Sequence, residues 1–182
     1  MKHIKIKEIA VAGLFSAFIC VGAYIKIPIP NLPITMQVFF VLLTGLLLKP
    51  RTAFFSFFVY VVLGLIGLPV FTGGGGPGYI FVPSFGFVIG FMTAAYVMSV
   101  VMSKIQKSGI TVMSLVCVLG IIIIYTIGIP YFALIANVYN GADNSAIWFI
   151  ETLLLPFIPK EIISAVAAVL TAYKIKPLMS KI

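Results

Sequence analysis

Long apolar runs, broken by short basic or proline-rich segments, dominate this chain. An α-helix rises about 1.5 Å per residue, so about 20 apolar residues cross a hydrocarbon core of about 30 Å. By that measure the pattern predicts membrane spans over residues 9–25, 35–48, 52–68, 85–102 and 110–136. A last span starts near residue 145 or, as a cleaner helix, at 159, and ends near 173. The 35–48 segment is short for a span, which fits a helix that tilts little or is flanked by protein. Pro130 predicts a kink in the fifth span. The expected fold is all-α: six transmembrane helices forming a single integral membrane domain over residues 1–182, with no soluble domain and no internal repeat.

Composition agrees with this pattern. Of 182 residues, 62% are hydrophobic and 9% charged, where a soluble domain carries roughly 25% charged residues. The net charge of +8 is read as a topology signal and not as a nucleic-acid surface. Lys2, Lys5, Lys7, Lys49, Arg51, Lys104, Lys107, Lys174, Lys176 and Lys181 all fall on one side of a six-span chain. Only Lys26 and Lys160 fall on the other. The positive-inside rule therefore predicts both termini in the cytoplasm. The N-terminal lysines resemble a signal-peptide n-region, but no clear small-residue cleavage site follows, so the first run is expected to remain as a helix. Three long segments rich in Pro, Gly or Asn then lie outside: "KIPIPNLPIT", the glycine loop over 69–87, and "NVYNGADNSAIW". Long loops of special composition are where binding concentrates.

Residue counting excludes several enzyme classes. His3 is the only histidine, so HExxH metal chemistry is absent. No G-x-S-x-G elbow occurs. The four acidic residues include no aspartate pair within a span, against an aspartyl intramembrane protease or an Asp-rich prenyltransferase. Cys20 and Cys117 have no metal or disulfide spacing, and no cofactor is expected. Gly73, Gly75 and Gly78 match G-x-G-x-x-G formally, but no Rossmann strand or helix flanks them, and Walker A is missing.

Four candidate sites remain. In "PVFTGGGGPGYIFVPSFGF", Gly73, Gly74, Gly75 and Gly76 are either a flexible tether or a wall whose backbone approaches a ligand. Three prolines and the apolar residues around them, Tyr79 and Phe85 included, favour the wall. In "LPFIPKEIISAVAAVL", Lys160 and Glu161 stand at the start of an otherwise uncharged helix, with Ser164 one turn on. They are either a helix start whose acid meets the helix dipole, or ionisable groups at a membrane-embedded cavity. Being adjacent, about 100° apart around the helix, they are not expected to face one spot squarely. Thr35 and Gln37, with Asn31 before them, head the second span and require hydrogen-bond partners if buried. Ala12 with Ser16, and Gly13 with Ala17, give helix one the small-residue spacing that lets another helix approach.

Together "IPIPNLPITMQ", "LLTGLLLKPRTAFFSFFVYVVLGLIGLPVF", "GGGGPGYIFVPSFGFVIGFMTA" and "PFIPKEIISAVAA" resemble the BioY family, the biotin-specific S components of energy-coupling factor (ECF) transporters. The resemblance covers about residues 10–170. Its most specific part is the glycine stretch followed by Tyr79 and then Pro-Ser-Phe-Gly-Phe, which contains Ser84 and Phe85. It implies six helices, a vitamin pocket near the outer face, no enzymatic activity, and residence in a prokaryotic cell membrane. The implied partners are biotin, a membrane T component and two ABC ATPases, with T-component docking on an outward-facing set of Ala12, Gly13, Ser16 and Ala17. The family's last-helix pattern resembles Pro-Gly-Asp-x-x-Lys. Here Glu161 replaces the acid, Ser164 replaces the lysine, and Lys160 stands where glycine is favoured. The ligand implied is therefore biotin or, as alternatives, a relative or another small carboxylate such as dethiobiotin, lipoate or pimelate. A passive small-solute facilitator is the alternative from another class; it requires a polar stripe along the spans, whose middles are almost wholly apolar.

Overall fold

The computed structural model describes residues 6–29, 32–105 and 109–179. Lys2, His3, Lys5, Asn31, Lys107 and Lys181 lie outside the described residues. The chain forms α1 (Ile6–Tyr24), a two-stranded hairpin of β1 (Lys26–Ile27) and β2 (Ile34–Thr35), α2 (Gln37–Leu47), α3 (Pro50–Leu65), α4 (Phe85–Lys104), α5 (Ile110–Ala133), α6 (Ala146–Leu153) and α7 (Ile158–Met179). Among the described residues, four apolar stretches are long enough to cross a membrane: Ile6–Tyr24, Phe85–Lys104, Ile110–Tyr139 and Ala146–Pro177.

Helix α2 is shorter than its apolar run. Eleven residues rise only about 16 Å, roughly half a hydrocarbon core. Most of α2 is buried, and it touches α1, α3, α4, α5 and α7. It is thus a protein-surrounded core element, and its starting residues lie inside the bundle instead of at a membrane surface. Close approach of α1 holds it there. A Cβ at Gly22 would meet the Phe40 ring at 2.7 Å and the Gln37 Cα at 3.0 Å. Pro50 opens α3 at a position where its missing N–H costs nothing.

Helix α5 continues through Pro130 and passes into a π-helical turn over Leu134–Tyr139. The last segment uses both starting points that the sequence offers. Ser145 caps α6, its hydroxyl accepting the Trp148 N–H at 3.2 Å. A 3-10 turn over Leu155–Phe157 then leads into α7. Several side-chain hydroxyls inside the bundle find backbone acceptors: Thr44 donates to the Phe40 carbonyl at 2.6 Å and Ser56 to the Thr52 carbonyl at 2.9 Å, one turn back on their own helices, and Ser99 donates across to the Leu48 carbonyl, whereas Ser16 Oγ is buried without a partner among the described residues.

The connection from α3 to α4 is a folded cap. The Gly76 N–H returns to the Gly64 carbonyl at 2.7 Å, and Phe71 pairs with Gly74 through two backbone hydrogen bonds. A 3-10 turn over Pro77–Phe81 follows. Phe71 anchors this cap, its ring 4.6 Å from Tyr79, 5.3 Å from Tyr60 and 6.0 Å from Phe85 between centroids. The end of α1 and the hairpin are tied to the cap by two contacts, Tyr24 Oη donating to the Pro69 carbonyl and Lys26 Nζ donating to the Thr72 carbonyl.

Candidate functional site

Three helix N-termini and one helix middle converge beneath the hairpin and the cap. Helix α2 contributes Gln37 and Val38, α4 contributes Phe87, Val88 and Phe91, α7 contributes Lys160 and Glu161, and α5 contributes Ile124 and Tyr125. Thr72, Ser84, Phe157 and the hairpin's Leu32, Pro33 and Thr35 complete the wall. The space between them is about 40 Å³, far below the roughly 300–1,000 Å³ of small-molecule pockets. A guest of ordinary small-molecule size fits here only if part of this wall moves.

The polar chemistry centres on Glu161. Its side chain is 6% exposed, at the start of α7 where the helix dipole favours an anion. Oε1 accepts the Tyr125 hydroxyl at 2.8 Å and meets Lys160 Nζ at 2.8 Å. Lys160 Nζ also stands 5.7 Å over the Phe157 ring centroid. Oε2 is buried and makes no hydrogen bond among the described residues. A carboxylate oxygen in that position is an acceptor awaiting a donor.

Gln37 supplies a second polar position. It is 3% exposed, and its Nε2 donates to the Tyr60 hydroxyl at 2.8 Å. With Nε2 so engaged, the amide oxygen of this cavity-lining residue is left as an acceptor. Thr35 Oγ1 accepts the Gln37 N–H at 3.4 Å. The cavity thus offers two oxygen acceptors, one carrying full charge, against an aromatic and aliphatic lining.

The sequence expectations separate here. Glu161, Lys160, Gln37, Thr35 and Ser84 are brought together around the cavity. Lys160 and Glu161 both line it, because the flexible lysine stem curls back onto its neighbour. Gly73, Gly74, Gly75, Gly76, Tyr79, Phe85 and Ser164 are not among its lining. Tyr79 is buried behind the wall, where its hydroxyl accepts the Gly73 N–H at 3.2 Å and lies 3.3 Å from Ser84 Oγ. Phe85 packs against Phe71, Tyr79 and Tyr131. Ser164 is buried one turn below Lys160 on α7. The small-residue set on α1 also divides: Ala12 and Ser16 are buried in the bundle, whereas Gly13 and Ala17 face outward. The outward-facing set is therefore not the whole quartet, since residues four apart share a face and only the Gly13 row points out.

Tyr125, Tyr60, Thr72, Leu32, Pro33, Phe87 and Phe91 are lining or supporting residues that sequence reasoning missed. Tyr125 had a usable signal: a hydroxyl inside "IIIIYTIG" requires a partner when buried. Removing that hydroxyl with Tyr125→Phe is expected to leave the fold intact and weaken ligand affinity about three- to tenfold, the scale of one indirect hydrogen bond to a charge. Titration of the purified variant checks this, and unchanged affinity contradicts it.

Fold and site together define a helical membrane protein with a small cavity, lined largely by apolar side chains, at one end of its bundle. The model of the BioY family matches residues 1–181, and the chain belongs to that family. It is 36% identical over 173 residues to a "Probable biotin transporter BioY" of Pyrococcus horikoshii, covering 94% of this chain and 98% of that one. It is 34% identical over 173 residues to the "Biotin transporter BioY" of Thermotoga maritima, covering 94% and 97%. A Lysinibacillus sphaericus "Probable biotin transporter BioY" is 40% identical over 138 residues, 76% of this chain and 70% of that one. The fold superposes on a crystal structure of the S-component for biotin from an ECF-type ABC transporter with a TM-score of 0.83, at 24% identity, covering 94% of this chain and 92% of that one.

Proposed function

We propose that this chain is a biotin-binding S component, not an enzyme, which captures the vitamin in the Glu161 cavity and passes it inward with an ECF module. The observation that carries this reading is the buried Glu161 Oε2, an unpaired charged acceptor beside the cavity. Biotin's ureido ring presents N–H donors, which fit Glu161 Oε2 and Gln37 Oε1. Its apolar ring and chain fit the Phe87, Val88, Phe91 and Ile124 surface. Lys160 balances the Glu161 charge and keeps further N–H donors for an acceptor on the ligand, its carboxylate included. Ser84 and Thr35 edge the same space. Gly73, Gly74, Gly75, Gly76, Tyr79 and Phe85 serve one shell out, holding Thr72 and Ser84 in place, and Ser164 supports the α7 turn.

The names carried by the relatives support the ligand, and the fold likeness supports the S-component role. In this reading the termini are cytoplasmic and the cavity opens outward from the cell membrane of a prokaryote. Energy comes from a T component and two ABC ATPases, with Gly13 and Ala17 on the docking side of α1. Uptake of labelled biotin in a transport-deficient host tests the partnership. Uptake driven by the chain is expected to rise severalfold when the T component and ATPases are co-expressed and to fall when an ATPase is inactivated. Equal ATPase-independent uptake in both hosts would assign the chain to the passive facilitators.

A further inference from the structure

Two apolar clefts open on the helical surface at the other end of α1 from the polar cavity. One, of 480 Å³, runs between α1 and α3 along Ile9, Ala12, Gly13, Phe55 and Val59. The other, of 380 Å³, runs between α3 and α4 along Phe54, Phe55, Met92, Thr93 and Tyr96. Both fall in the range of about 300–1,000 Å³ typical of ligand pockets. Helix α3 is the wall between them, and Arg51 and Phe55 line both.

Arg51 is exposed, in the first turn of α3. The chain has four acidic side chains. Glu8, which shares the rim of the first cleft, is met by Lys49 at 3.3 Å. Glu161 is held by Lys160 in the polar cavity. Asp143 and Glu151 follow the far end of α5. Among the described residues, none of the four pairs with Arg51. The α3 N-terminus adds to this positive field, having no side-chain cap and no acid in its first turn.

An unpaired guanidinium at the junction of two apolar clefts complements one anion carrying two hydrocarbon chains. We propose that α3 carries a site for a two-chain anionic phospholipid. The phosphate sits on Arg51, one acyl chain lies in the α1–α3 cleft and the other in the α3–α4 cleft. Arginine's planar fork matches phosphate oxygens in pairs, and basic positions between membrane helices recognise lipid headgroups in the same way. Chains alone give no selectivity, because bulk lipid is as apolar as the clefts. Selection therefore falls on headgroup charge. The proposal rests on the membrane placement of the bundle and is independent of the ligand in the Glu161 cavity; because Gly13 lines the α1–α3 cleft, it concerns the chain before a T component docks there.

Native mass spectrometry of the chain from bilayers of equal phosphatidylglycerol and phosphatidylcholine tests it. The wild type is expected to retain phosphatidylglycerol preferentially, as one adduct, and the one-chain lysophosphatidylglycerol less well. Arg51→Gln is expected to lower that retention about tenfold, the scale of a lost charge-assisted contact. Its thermal unfolding in the same detergent should match the wild type, which excludes misfolding as the cause. Equal retention of both headgroups, of the one- and two-chain lipids, or of phosphatidylglycerol by Arg51→Gln overturns the site. So does a chain that retains no lipid while a transporter-partner helix crosslinks at Gly13 in the assembled complex.

Discussion

Glu161→Gln is expected to raise the biotin dissociation constant about a hundredfold while the protein remains folded. The variant keeps the side chain's shape and one oxygen, so the cavity does not collapse. It loses the full charge on the acceptor nearest the cavity. Hydrogen bonds to charged groups contribute about 1.5–3 kcal/mol each, and every 1.4 kcal/mol is about tenfold in affinity. The substitution also strips Lys160 of its counter-ion at 2.8 Å, and a half-buried ammonium without a partner is costly. Lys160→Met in the Glu161→Gln background separates the two contributions. Stability should recover in the double variant and affinity should not. If affinity returns with stability, Glu161 acts on the ligand only through the fold. If Glu161→Gln binds biotin as the wild type does, the proposed site is wrong.

Gly75→Ala is expected to be the most damaging single substitution in the glycine stretch. A Cβ there would overlap the Leu68 carbonyl oxygen and come within 3.0 Å of the Gly64 carbonyl oxygen. Both are backbone atoms at the end of α3, so no side-chain rotation relieves the clash. The Gly76 hydrogen bond to Gly64 and the Phe71–Gly74 pairing would have to give way, at a cost of about 3 kcal/mol, the upper part of the overpacking range. Its neighbours differ for definable reasons. Gly74 and Gly76 have φ of 125° and 107° but open space around them, so alanine is strained there by roughly 2 kcal/mol, within the range for residues held in sparsely populated backbone regions. A Cβ at Gly73 would stand 3.4 Å from the Tyr79 hydroxyl, an ordinary contact, and alanine should be tolerated. Thermal unfolding of the four variants in one detergent checks the order. A Gly75→Ala protein as stable as Gly73→Ala would contradict it.

That series shows what the sequence could and could not disclose. Apolar runs bounded by Lys49, Arg51 and Lys104 marked their helices closely, because membrane solvation leaves few alternatives to a helix. The shortness of α2 was visible in residues 35–48, and its burial on all sides supplies the reason. The hairpin over Lys26–Ile27 and Ile34–Thr35 was not legible: its strands are two residues each, and Lys26 is held by a tertiary contact to Thr72 rather than by strand pattern. Four glycines announced a special backbone, but not what the backbone approaches. Gly75 meets the end of α3, whereas Thr72 reaches the cavity. Adjacency on a helix argued against Lys160 and Glu161 sharing a site. A four-carbon stem covers that angle easily, which spacing rules for Cβ directions do not capture. Tyr125 and Gln37 meet the cavity from helices distant in sequence, a juxtaposition that packing alone supplies.

Calorimetric titration of the folded, detergent-purified chain with biotin, dethiobiotin, lipoate and pimelate is the most direct test of the Glu161 cavity as a ureido-recognising site. The account predicts one-to-one binding of biotin, weaker binding of dethiobiotin, which keeps the ureido group, and none or far weaker binding of lipoate and pimelate, which lack it. Lipoate or pimelate binding as tightly as biotin, or no response to biotin by folded protein, would contradict it.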